Sequence, residues 1–376
     1  MSQRIRVIGA VAALSLLGLV LSACGSAQVA ENWPGLTLAD GTLYVISGAP
    51  QQVYMLDAET GTQKATFMPA GEQKGAPYWS PVTVGGGLAF VGFAESQSGL
   101  AGLYAFDPET GQEQWHVAAE SLIIPAPTYA DGVVYFGSSD GRVYAVDVES
   151  HALKPGWSFQ AEEAVWASPL VYEGRVYVTT KDHNLYALNA ESGEVIWKYD
   201  VGGAMAAQPI IEDGILYVGA FDGRLHAVHV DSGEPVEGFA FQAENWIWSE
   251  PLLIGDRLYT TSLDGKLYAL DPATGAVLPP YPFDSSEIGD SQDTLRAAPV
   301  QAGEYIIIAA ESGRVIAVQD AVSRWVWPGG TPETGVLTTP VVSEGTIYVV
   351  LMNGQVQTLD AESGTQGWTF SPPGGK

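Results

Sequence analysis

The chain has 376 residues, 43 Asp and Glu against 16 Lys and Arg, and a formal net charge of −27. This acidic excess excludes nucleic acid as a partner, because that affinity comes mainly from Lys and Arg neutralising phosphates, and it disfavours bare anionic lipid for the same reason. A single cysteine excludes an internal disulfide, and the length admits one large all-β domain or two ordinary ones.

Residues 1–23 read as a signal peptide, since Arg4 and Arg6 precede an apolar run from Val7 to Val20 that ends in small residues. The run closes on Leu21-Ser22-Ala23-Cys24, which resembles the lipobox of bacterial lipoproteins. The resemblance implies cleavage before Cys24 and covalent lipid on it, with residues 24–32 as a short tether. Several acyl chains hold a membrane far more firmly than one. Loss of the leader removes two basic residues and no acid, so the mature chain is more acidic still. An ordinary signal peptide cleaved near Ala27 would discard Cys24. In either case the folded part is extracytoplasmic.

From residue 33 to 376 one unit recurs eight times. Its clearest copy has a first apolar run at Leu170–Tyr172, then Arg175–Thr180, Asn184–Asn189 and a Trp-containing run at Glu194–Tyr199. Short alternating runs separated by turn residues predict a four-stranded antiparallel meander. Asp140-Gly141, Asp222-Gly223, Asp264-Gly265, Ser312-Gly313 and Asn353-Gly354 fall where the hairpin between second and third strands needs positive φ. Asn184, after His183, serves the same turn. The end of each third strand is marked by Asp57, Asp107, Asp147, Asn189, His229, Asp271, Gln319 and Asp360. The two wider spacings, after Asp57 and after Asp271, locate loop insertions rather than missing units.

A bulky aromatic follows each marker. Trp115, Trp197, Trp327 and Trp368 lie eight residues on; Trp157, Phe239 and Tyr281 lie ten on, after longer turns; Ala65 replaces the ring in the first copy. The pattern Leu-Tyr-Ala-Leu-Asp-x-x-Thr-Gly-x-x-x-Trp resembles the tryptophan-docking repeat of pyrroloquinoline quinone-type β-propellers. The expected fold is therefore all-β, an eight-bladed β-propeller of four-stranded antiparallel blades. The resemblance implies that each aromatic docks between neighbouring blades, where radially packed sheets need a large apolar side chain. Both ends of the repeat array look complete, so closure by packing alone is expected, with Val29–Asn32 available as an added edge strand.

The same resemblance raises a quinone-dependent dehydrogenase, which is expected to carry a cofactor chamber, a calcium site, a catalytic Asp and often paired cysteines. None of these maps onto this sequence, and no catalytic residue, metal site or cofactor beyond lipid on Cys24 is expected. His226 and His229 lie three apart on a strand and point to opposite faces. His116 follows a docking Trp, and His151 and His183 occupy turns. The marker carboxylates are expected to bond to the backbone of the following turn. The acidic loop at Asp284–Asp293 lacks the ligand spacing of an EF-hand and reads as solvated. Gly85-Gly86-Gly87 is a turn between strands, without the helix and Lys of a phosphate loop.

Trp33, Trp79, Trp166, Trp246 and Trp248 are not needed for docking, and all fall just before a first strand. Counting back from the Pro that opens each first strand gives Tyr78, Ile124, Trp166, Ala206, Trp248, Arg296 and Leu337. Equivalent loops of all blades end on one face, so these residues are expected to ring one mouth of the channel, flanked by Trp79 and Trp246. They either plug the channel or bind a partner. Exposed Trp and Tyr around an Arg are common hot-spot material. In lipobox, length and repeat number the chain resembles the BamB family of outer-membrane assembly lipoproteins, although that family borrows an outer strand from its N-terminus. The resemblance implies a non-enzymatic, monomeric, lipid-anchored scaffold that binds proteins of the cell envelope. The alternative is a carbohydrate- or small-ligand-binding lipoprotein.

Overall fold

A computed structural model describes residues 35–48, 51–69, 80–94, 101–288, 293–332 and 334–373. The sheets follow the repeat. Eight antiparallel meanders, each in sequence order, span Leu36–Phe67, Thr83–Ala119, Thr128–Gln160, Leu170–Asp200, Ile210–Gln242, Leu252–Asp284, Val300–Trp327 and Val341–Phe370. They are the eight blades of a propeller, numbered here in that order. The first strands of neighbouring blades lie against one another around the axis. Blade 3 counts five strands only because its outer strand is broken into Ala152–Leu153 and Phe159–Gln160, both paired to Arg142–Asp147. The single helical element among the described residues is the 3-10 turn Ser285–Glu287.

Strand register explains how the blades interlock. In blade 4 Leu170 pairs with Tyr177, Tyr177 with Ala187 and Ala187 with Trp197, so one cross-strand row runs from channel to rim. That row buries its residues against the next blade, and each core cluster spans two blades rather than one sheet. The cluster containing Tyr177, Leu185 and Trp197 of blade 4, for instance, also holds Leu216, Val218 and Val228 of blade 5. Burial of such side chains is worth roughly 1.5–3 kcal/mol each, and it stabilises the ring only when the neighbouring blade is present.

Where the marker is Asp or Asn, its own side chain builds the turn that follows. The carboxylate of Asp57 accepts from the backbone N–H and hydroxyl of Thr60, and Asp107 and Asp271 accept in the same way from Thr110 and Thr274. These bonds favour the ionised form and hold the three carboxyls below the ordinary range. The glycine that closes the turn also has to make room for a ring. Gly364, at φ 67°, lies where a Cβ would come within 2.6 Å of the Trp325 ring. His151 holds the equivalent place in blade 3 at φ 56° and stacks on Trp115, with ring centres 5.4 Å apart.

Among the described residues the ring closes without strand exchange, and blade 8 keeps its own outer strand, Gln366–Phe370. Tyr348 Oη and Trp368 Nε1 both donate to the carbonyl of Ala58, at 3.1 and 3.2 Å. Leu43, Tyr54 and Leu56 of blade 1 pack with Tyr348, Val350 and Val356 of blade 8. In blade 1, where Ala65 leaves no ring, Phe67 stacks on Phe106 of blade 2 with centres 4.4 Å apart. Cys24, the expected leader and tether, and Val29–Asn32 lie outside the described residues.

Candidate site at the channel mouth

The rim positions separate into those that dock and one that does not. Trp157, Trp197 and Trp368 donate Nε1–H to the carbonyls of Ala190, Val230 and Ala58 on the following blade, at 3.2, 2.9 and 3.2 Å. Trp115 occupies the same row of blade 2, opposite Ala105. Phe239 and Tyr281 pack on Tyr217 and Tyr259 with ring centres 5.9 and 5.8 Å apart. In blade 7 Trp325, not Trp327, pairs with Ala317 and donates to the carbonyl of Ala361 at 3.1 Å. The expectation at Trp327 fails because Asp320 and Ala321, both at positive φ, make a turn two residues shorter than Glu-Ser-Gly. Trp327 falls two residues further along the strand, and its indole N–H is buried with no hydrogen-bond partner.

The loops that enter the blades are fixed by a fully buried anchor residue. Val165, Met205, Ile247 and Leu295 are inaccessible to solvent, and their N–H groups donate to the hairpin carbonyls of Ser138, Thr180, Ala220 and Ser262 on the preceding blade. The next residue in each loop is Trp166, Ala206, Trp248 or Arg296, and it is only half-buried. Buried anchor and half-open neighbour alternate because the loop is extended there. Ile124 and Leu337 hold the same place on blades 3 and 8 and are also half-buried. Tyr78 and Trp79 lie outside the described residues.

The structure joins part of this ring into an arc. The Phe221 ring, on the second hairpin of blade 5, is sandwiched against Trp246 and Trp248 of the loop entering blade 6, with centres 4.8 and 4.7 Å apart. The Arg296 guanidinium lies 4.6 Å from the Trp248 ring centre, and Arg296 comes within 3.9 Å of Glu311. On blade 4 the Lys181 ammonium sits 3.8 Å above the Trp166 ring. Cations over indole faces are attracted by the ring quadrupole. Trp246 is 46% exposed, the most open tryptophan among the described residues. Phe221 and Lys181 were not among the sequence candidates. Their signal is their shared place just before the hairpin Asp, at Asp182 and Asp222, which brings them to the same face as the entering loops.

Glu250, two residues after Trp248, is a second feature missed in the sequence. Its carboxyl is exposed, yet loss of hydration raises it to about 7. The residue keeps an open side while the protein around it strips much of the hydration that would stabilise the anion. It has no hydrogen-bond or ion-pair partner among the described residues.

The histidines do not converge. His226 bonds Asp222 at 3.1 Å in the place where Tyr144, Tyr186 and Tyr268 bond Asp140, Asp182 and Asp264, and His229 is exposed at the strand end. In the acidic loop Asp284 accepts from the N–H of Ser286, and Asp293 accepts from the N–H of Ser312; residues 289–292 lie outside the described set. No group of three or more metal-ligating side chains occurs among the described residues. No helix among them is long and apolar enough to cross a membrane.

Comparison with known proteins gives the fold several counterparts. The crystal structure of BamB from Moraxella catarrhalis shares 20% identity over 88% of this chain and 94% of that one, with a TM-score of 0.68. The computationally designed Ika8 protein matches at 14% identity, 86% and 94% coverage and a TM-score of 0.68. A europium-containing methanol dehydrogenase matches at 14% identity, 90% and 83% coverage and a TM-score of 0.67. These likenesses, all at 20% identity or below, show the fold alone. No curated protein matches by sequence. The family model described as outer membrane protein assembly factor BamB matches residues 51–154 and 154–370, and the chain belongs to that family.

Proposed function

We propose that this chain is a non-enzymatic, lipid-anchored extracytoplasmic scaffold that docks a protein of the outer-membrane assembly machinery at its channel mouth. The observation that carries the reading is the arc Trp246, Phe221, Trp248 and Arg296. It places rigid aromatic area and a guanidinium together on one face, and such groups dominate binding energy at protein interfaces. Family membership supports the envelope role, and the Cys24 motif supports the anchor.

Crosslinking in the native envelope followed by mass spectrometry tests the docking. The wild-type chain is expected to recover a protein of the assembly machinery, and Trp166→Ala with Trp248→Ala to lose it while the circular dichroism spectrum stays unchanged. Unchanged recovery overturns the mouth as the docking surface. Labelling with radioactive palmitate tests the anchor, with Cys24→Ser expected to abolish incorporation. Dye-linked alcohol oxidation after addition of pyrroloquinoline quinone with calcium or a lanthanide tests the dehydrogenase alternative, and no turnover is expected.

The open face of Trp246 favours a second reading, stacking against a sugar ring. Binding on a glycan array with quenching of tryptophan emission would support that reading over the scaffold.

A further inference from the structure

Three residues before its marker, the third strand carries a ring in blades 1 to 6, Ile316 in blade 7 and Gln357 in blade 8. That ring packs against the end of the preceding blade's outer strand. Phe159 meets Tyr186 and Phe241 meets Tyr268 with centres 4.9 Å apart in both pairs, and across the seam Phe370 meets Tyr54 at 5.1 Å. In blades 3, 4 and 6 the tyrosine hydroxyl also bonds the hairpin Asp. Blade 7 has Ser312 in place of that Asp, and Asp293 of the preceding loop bonds it. Blade 8 replaces both members of the pair, with Gln357 for the tyrosine and Asn353 for the Asp. Gln357 folds back on its own blade, its Nε2 donating to the carbonyl of Thr358 and its Oε1 accepting from the hydroxyl of Thr369, both at 2.8 Å. A cavity of about 310 Å³ remains between the end of blade 7's outer strand and the hairpin of blade 8.

Trp327 forms one wall of this cavity. Phe159, Phe241, Phe283 and Phe370 hold the same strand place with a ring that has no donor to strand, whereas Trp327 buries its indole N–H unpaired. Packing alone gives no reason for an indole there; a broad apolar surface offered to a ligand does. The other walls bring the hydroxyls of Thr331 and Thr334 and the amides of Asn353, Gln355 and Gln366. Both hydroxyls and the amides of Gln355 and Gln366 make no hydrogen bond among the described residues. Amides and hydroxyls each supply donors and acceptors, and none of the described residues lining the cavity is charged. The complementary ligand is neutral, has an apolar ring face, and carries groups around its edge that both donate and accept. Ligand sites run from roughly 300 to 1,000 Å³, and a cavity at the small end suits a short saccharide rather than a folded partner. We propose that this cavity binds a short neutral saccharide, its ring against Trp327 and its hydroxyls on Gln355, Gln366 and Thr334. No residue of the mouth arc lines the cavity, and the proposal does not rest on docking at the mouth.

The test is saturation-transfer NMR on the mature full-length protein titrated with glucose, N-acetylglucosamine, maltose and chitobiose. At least one of these saccharides should bind with millimolar or tighter affinity. Gln357→Tyr restores the ring that blades 3, 4 and 6 carry, so it should weaken binding by about tenfold or more without lowering the urea midpoint. Position 366 is exposed, so Gln366→Ala leaves the fold intact and should weaken binding several-fold; it decides the matter if Gln357→Tyr proves less stable. Trp246→Ala should leave saccharide binding unchanged, which separates this cavity from the mouth. No binding of any of the saccharides, binding that survives both glutamine substitutions, or binding lost with Trp246→Ala overturns the proposal. Partner recovery by crosslinking is measured separately, so the docking surface and the saccharide site can fail independently.

Discussion

Trp368 Nε1 donates to the carbonyl of Ala58 at 3.2 Å, joining the last blade to the first across 310 positions of sequence. The same bond recurs at Trp157, Trp197 and Trp325, but only here does it close the ring. Among the described residues no strand is shared between the first and last blades, and side-chain packing and bonds hold the seam. Trp368→Phe keeps most of the packing and removes the bond, and should cost about 1 kcal/mol. Trp368→Ala should cost about 3 kcal/mol, at the lower end for removal of a large ring because this indole is half-buried. Urea unfolding, read as a shift in midpoint at constant slope, checks both values.

Blade 7 provides a contrast between two tryptophans on one strand. Trp325 carries the inter-blade bond, and Trp327 buries an indole N–H without a partner. Trp325→Phe should therefore lose about 1 kcal/mol, whereas Trp327→Phe should be neutral or slightly stabilising, because it removes an unsatisfied buried donor. The reverse order in urea midpoints would place the docking position at 327.

These two residues also show where sequence reading reaches its limit. Alternating runs and hairpin glycines are local signals, and they were sufficient for eight meanders. The docking position in blade 7 was lost because counting from Gln319 assumes a turn length, and Asp320-Ala321 carries no Thr-Gly to reveal that the turn is short. Ala65 made the first copy look deficient, yet Phe67 two residues on supplies the missing ring area against Phe106. Phe221 was invisible for a different reason. Its partners Trp246 and Trp248 belong to the next blade, and nothing in the period of either strand announces that stack.

Phe221 separates the arc from the fold. Its N–H bond to the carbonyl of Ala204 is a backbone contact that survives substitution, and its ring lies half-buried on the hairpin. Phe221→Ala should change near-UV dichroism by freeing Trp246 and Trp248 from the stack, and should change stability by no more than about 1 kcal/mol. Partner recovery should fall as it does for Trp248→Ala. Retained recovery with an altered near-UV spectrum would show that ordering of the aromatics is dispensable for docking.

Glu250 predicts an unusual dependence of stability on pH. Its carboxyl is raised from the ordinary 4.5 to about 7 by loss of hydration, so the folded chain holds this proton more tightly than the unfolded chain. Below 4.5 both states are protonated and the group's favourable contribution is fully present. As pH rises through about 7 that contribution is lost, because the folded state must then accommodate an unpaired anion. Glu250→Gln removes the titration. The variant should match the wild type near about pH 4 and exceed it near about pH 8, with the difference opening between those values. Glu250 is exposed, so solvent screens its carboxylate and the gain should be well short of the full shift converted to energy. All other carboxylates titrate alike in both proteins, and their effect cancels in the comparison. Urea midpoints at the two pH values decide the matter: equal midpoints at the higher pH would mean that Glu250 is fully hydrated, and a lower midpoint for the variant would mean that the carboxylate has a stabilising partner within the fold.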